Sequence, residues 1–115
     1  MRTLNDYFIT GRVTDISTAG STFVAVPDGG KIIKIMSVLQ GAISGGNAAI
    51  TFEIGGTAVT GAGFTVAHSG SAVGTMDGST PTALNEVAED GSIEIITDGN
   101  STGAKALDVT FIIRR

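Results

Sequence analysis

Few side chains in this sequence could do chemistry, and each lacks the partners that its chemistry needs. His68 is the single histidine and the chain has no cysteine. A zinc site takes three or four nitrogen, sulfur or carboxylate ligands, so one imidazole does not make one. Ser69 follows His68 directly, but a nucleophile and its base meet across a fold and need an orienting acid, so a loop histidine is expected. Asp98, Asn100 and Thr102, followed by Gly103, set oxygens at alternate positions as a calcium loop does. The twelfth position of such a loop needs a bidentate Glu and is Val109 here, so a polar hairpin turn is expected instead. Asn100, Ser101 and Thr102 also spell the glycosylation triplet, which matters only on a secretory route.

Gly29, Gly30 and Lys31 imitate the end of a phosphate loop. The first glycine of that motif is replaced by Ala25 and its magnesium-binding hydroxyl by Ile32. Gly61 and Gly63 follow a strand-like run without opening a helix, which removes a dinucleotide fingerprint. The remaining candidates are carboxylate pairs, Glu53 with Glu94 and Glu86 with Glu89 or Asp90. Glycosidic chemistry would need two of them flanking a groove. Sugar grooves usually carry aromatic platforms, but tryptophan is absent and Tyr7 is the only tyrosine. No catalytic residue, cofactor or metal is expected, and the chain reads as a non-enzyme.

The elements that must hold these residues read as strands. Residues 7–16 alternate, with Tyr7, Ile9 and Val13 against Phe8, Thr10, Arg12 and Thr14, and Gly11 suggests a bulge or bend. Residues 22–26 form a second strand that Pro27 stops, and Pro27, Asp28, Gly29 and Gly30 predict a tight turn. Residues 31–43 are the longest apolar run. Ile32, Ile33, Ile35, Met36, Val38, Leu39 and Ile43 occupy both parities, so both faces of this strand are expected to be covered, the second by a neighbour or a loop. Residues 48–54 alternate cleanly, with Ile50, Phe52 and Ile54 on one side and Thr51 and Glu53 on the other. Shorter runs follow at 57–60, 64–66 and 72–76, and the closing strands are 93–97 and 105–113. Only residues 80–87 carry helix-start signals, Pro81 and a following acid, which allow at most one short helical turn near 81–88.

About eight strands at spacings of roughly 8–12 residues predict an all-β chain, an antiparallel β-sandwich of jelly-roll-like form. Length and composition agree. A chain of 115 residues is one domain, here 7–115 preceded by an arm, 1–6. Seventeen glycines, many β-branched residues and few helix formers favour strands. Charged residues are 16% of the chain and mean hydropathy is +0.32, too little charge to cover a monomer, so part of the surface is expected to face protein. The net charge of −4 disfavours nucleic acid as a partner. No membrane span or secretory signal is visible, and cytoplasmic synthesis is expected.

The stretches TFVAVPDGGKIIKI, ITFEIGGTAVTGAGFTVAHSGSAVG, TPTALNEVAEDGSIEIITDG and VTFIIRR together resemble the small capsid decoration, or cement, proteins encoded beside the major capsid protein in tailed-phage genomes. The similarity runs from about Leu4 to the end of the chain and lies in turns and strand patterns. It implies a jelly-roll-like structural protein of the virion that binds the major capsid protein on the outside of the phage head. It also implies a symmetric oligomer, commonly a homotrimer, that stabilises the shell.

Within that reading the contact residues are expected in the arm and its aromatic pair, Arg2, Thr3, Leu4, Asn5, Tyr7 and Phe8. Met36 and Val38 of the over-apolar strand join them. The alternative is a carbohydrate- or receptor-binding module of a phage tail or fibre, which would be expected to show exposed aromatics.

Overall fold

Ten strands and no helix make up residues 4–115, the part of the chain described by the computed structural model. In chain order they are β1 (Asp6–Val13), β2 (Gly20–Val26), β3 (Gly30–Leu39), β4 (Ala48–Ile54), β5 (Thr57–Ala58), β6 (Phe64–Val66), β7 (Met76–Ser79), β8 (Glu86–Val87), β9 (Gly91–Thr97) and β10 (Leu107–Arg114). One sheet runs β1-β10-β3-β7 with β8 also on β3, and the other runs β2-β9-β4-β5 with β6 also on β4. Every pairing is antiparallel.

The short strands share edges. β7 and β8 pair with different stretches of one edge of β3, and β5 and β6 divide one edge of β4 in the same way. With each shared edge taken as one column, every sheet has four columns. The sequence expectation of about eight strands therefore matches columns, while ten separate strands fill them. The chain passes back and forth between the sheets as it fills these columns, which is the jelly-roll weave.

Alternation places the core. β4 buries Ala48, Ile50 and Phe52, β9 buries Ile93, Ile95 and Thr97, and β10 buries Leu107, Val109, Phe111 and Ile113. Phe111 and Phe52 meet edge-to-face across the two sheets, with ring centroids 5.6 Å apart and planes at 90°. Ile16, expected at the end of the first strand, lies in the turn after β1 and is fully buried. Its amide donates to the Lys105 carbonyl at 2.9 Å, and its carbonyl accepts from Thr97 Oγ1 at 3.0 Å.

β3 explains its own double parity. Ile113 pairs with Ile32 and Ile112 with Lys34, so Ile33 is an extra residue, a β-bulge. The bulge changes the phase of the strand, so Ile32 and Ile35 both reach the core along with Leu39, although they differ in parity. Met36 and Val38 take the opposite face and are half-buried. The bend expected at Gly11 is absent, because β1 pairs with β10 in unbroken register through it. Gly11 is required for a different reason. A Cβ there would collide with the Val24 side chain of β2 in the facing sheet.

Residues 80–87 are extended, with β8 at their end, rather than helical. Leu84 adopts φ 53°, which turns Asn85 inward. There Asn85 Nδ2 donates to the Ile32 carbonyl at 2.6 Å, and the Ile32 amide donates to the Asn85 carbonyl at 2.9 Å. Asn85 thus serves as partner to β3 just before the bulge.

Candidate functional site

The outer face of the first sheet is built in rows by the register of β1, β10, β3 and β7. Phe8, Ile112 and Lys34 form one row, Thr10, Thr110, Met36 and Gly78 the next, and Arg12, Asp108, Val38 and Met76 the third. Phe8 is 61% exposed and Met76 56%, while Ile112 beside Phe8 is buried by its neighbours. The face is apolar at two corners and polar through the middle. Thr10 and Thr110 hydroxyls meet at 3.2 Å, and Arg12 holds Asp108 through Nε at 2.7 Å and Nη2 at 2.9 Å. Gln40 Nε2 adds a third donor to Asp108 at 2.9 Å. These bonds, led by that from Arg12, hold the Asp108 carboxyl below the usual carboxylate range.

Phe8, Met36 and Val38 are thus brought to one face. Tyr7 is not. Strand alternation turns it to the other side of β1, where it packs against the core with the Arg115 guanidinium 5.0 Å from its ring centroid. Arg115 Nη1 in turn donates to Asp28 at 3.0 Å. Leu4 is fully exposed, and the Asn5 carbonyl accepts from the Arg115 amide at 3.1 Å. Arg2 and Thr3 lie outside the described residues. Asp6, assigned by sequence to the arm, opens β1 with its side chain buried against Arg114 Nε at 2.8 Å. Met76 was not expected on this face, since the pattern placed a weak strand at 72–76 rather than at Met76–Ser79.

The other chemical candidates sit apart. Asn47 Oδ1 lies 2.8 Å from His68 Nδ1 and accepts from the His68 amide at 3.1 Å, so the exposed histidine braces a loop. Asp98 Oδ1 accepts from the amides of Asn100 at 3.1 Å and Ala49 at 3.2 Å, which ties its carboxylate into the turn. Glu53 and Glu94 face each other across β4 and β9 on the outer side of the second sheet, where the Ser21 hydroxyl donates to Glu94. Glu86 is exposed and reaches Lys31 Nζ at 4.0 Å. Among the described residues no group of three or more His, Asp or Glu side chains is placed to hold a metal. Asp15 is another strongly bonded carboxylate. The Ser17 hydroxyl and amide and the Thr18 hydroxyl all donate to it and hold its carboxyl low. Burial pushes the Asp77 carboxyl up.

The fold and this face define an all-β sandwich with a mixed apolar and polar sheet surface. No protein-family model matches the chain, and no curated protein matches it significantly. Among solved structures, dimeric latent PorU from Porphyromonas gingivalis is similar at 12% identity and a TM-score of 0.48. The match covers 96% of this chain and 13% of that one.

Proposed function

We propose that this chain is a structural protein that docks on the outside of a phage head and reinforces it as a symmetric oligomer. The observation that carries the reading is the outer face of the first sheet. Phe8 at one corner and Met36, Val38 and Met76 at the other share that face, with an ion pair and a threonine pair between them that could be met by a complementary protein surface. The major capsid protein is the partner that the sequence resemblance implies, and the virion exterior is then where the chain resides.

Co-sedimentation with empty heads assembled from the capsid protein of the same genome tests the reading. Phe8→Ser with Met76→Ser is expected to lower binding at least tenfold while leaving the thermal transition in place. Removing residues 1–4 tests the arm separately. The cut stops there because Asp6 belongs to β1 and its side chain is buried. Wild-type protein that stays in the supernatant at every concentration overturns the proposal. Saturable binding on a glycan array would favour a sugar- or receptor-binding module in its place.

A further inference from the structure

Among the described residues one side of the sandwich is open. β1 ends the first sheet and β2 ends the second, and the approach of Gly11 to Val24 puts both ends on the same side. Among the described residues no strand pairs with the outer side of either. Proteins usually guard such edges with lysine, proline, a bulge or an inward-pointing charge. β1 reads DYFITGRV and β2 reads GSTFVAV, and neither contains lysine or proline. Their registers are unbroken, and the charges of β1, Asp6 and Arg12, share the outer face of the sheet. Between the two edges lies a groove of about 650 Å³ lined in part by Ile9, Val24, Ala25, Val26 and Pro27.

The backbone of β1 is oriented for another strand. The Arg115 amide bonds to the Asn5 carbonyl one step beyond the Asp6–Arg114 pair, so odd-numbered residues of β1 bond to β10. The amides and carbonyls of Phe8, Thr10 and Arg12 consequently point to the open edge.

We infer that β1 pairs antiparallel with β1 of a second copy, with Ile9 opposite Ile9 on a two-fold axis. In that register the position of Asp6, whose side chain is buried against Arg114, lies opposite Arg12 of the second copy, and Arg12 lies opposite its Asp6. The row Asp108, Arg12, then Asp6 and Arg114 of the second copy alternates in sign across the junction. Phe8 falls beside Thr10. Slips of one residue set an outer face against an inner one. A slip centred on Phe8 stacks phenylalanines but sets Asp6 against Thr10. A slip centred on Thr10 sets Phe8 against Arg12. Only the Ile9 register matches both charges. Because both sheets end on this side, the same two-fold turns the grooves toward each other, their walls apolar apart from Thr10 and Asp90.

The inference stands without the shell-binding proposal, since a dimer can be found in solution whether or not a shell binds. It also departs from the three-fold arrangement that the resemblance implies. The chain has no cysteine, so single introduced cysteines give a clean readout. Ile9→Cys, Phe8→Cys and Thr10→Cys are compared in a glutathione buffer, alongside sedimentation velocity of the wild type over a concentration series. A cysteine bonds to its own copy only where the axis passes, and the close Cα spacing of a non-hydrogen-bonded pair suits a disulfide. The expected result is a wild-type mass that rises from one chain to two, with dimer yield several-fold higher for Ile9→Cys than for the other two. Thr10→Pro removes one edge amide and the Thr10–Thr110 hydroxyl contact but no backbone bond to β10, and is expected to stay monomeric with its thermal transition kept. A wild type that stays monomeric, a trimer mass, equal yields at the three positions or a maximum at Phe8 or Thr10 overturns the inference.

Discussion

Asn85 bonds the Ile32 carbonyl from inside the core, where β3 leaves regular pairing. Asn85→Ala leaves that buried carbonyl short of a donor and is expected to cost about 1–3 kcal/mol in urea unfolding. Ser37 is the opposite case. Its hydroxyl is buried without a partner, so Ser37→Ala is expected to be neutral or to stabilise by up to about 1 kcal/mol in the same measurement. The carboxylates set the acid limit. Asp15 and Asp108 titrate below their unfolded values, so the stability they give is complete above roughly pH 5 and is lost as pH falls below about 4. Asp77 is raised and works the other way, and the fall of the thermal midpoint as pH drops reads the loss expected from Asp15 and Asp108. At this scale the sequence was partly legible. Alternation gave Phe8 its outward position, but it equally turns Tyr7 inward, so the two aromatics do not act as a pair. Asn85 could not be found by pattern, because its burial depends on the positive φ of Leu84 beside it.

Elements with one uninterrupted phase were the readable ones. The 48–54 strand matches β4 residue for residue, since Ile50 and Phe52 alternate with Thr51 and Glu53 without a break. β3 was harder because the extra residue at Ile33 moves core positions from one parity to the other. Its apolar residues on both parities are therefore partly a bulge and only partly a second covered face. Met36 and Val38 remain as that face. The two-residue strands β5 and β8 carry no periodicity and exist only because β4 and β3 offer them an edge. The bulge makes a sharp prediction. Deleting Ile33 puts Ile32, Lys34 and Ile35 in plain alternation opposite Ile113, Ile112 and Phe111, so both isoleucines keep their core places and the unfolding transition is expected to stay cooperative. Deleting Ile33 and Lys34 together sets Ile32 next to Ile35, forces one of them out of the core, and is expected to abolish most of the cooperative transition. Circular dichroism melts of the two variants test whether Ile33 is the extra residue.

At the scale of the molecule, two sheets closed over Phe52 and Phe111 make a rigid body, and Phe111→Ala is expected to cost about 3–5 kcal/mol of stability by denaturant unfolding. The sandwich was legible from strand spacing and glycine-rich turns. The open side was not, because an edge is defined by which strand fails to arrive, and that depends on the whole weave. The low charge led to the expectation of a protein-facing surface, and the two surfaces proposed for that role are the face around Phe8 and Met76 and the edge along β1. The most direct measurement is a cryo-EM map of empty phage heads saturated with this chain, set against bare heads. The account predicts added density on the outer surface that fits the sandwich, with the rows from Phe8 to Met76 turned toward the shell. Heads without added density, or sandwiches bound with that face turned to solvent, would contradict it.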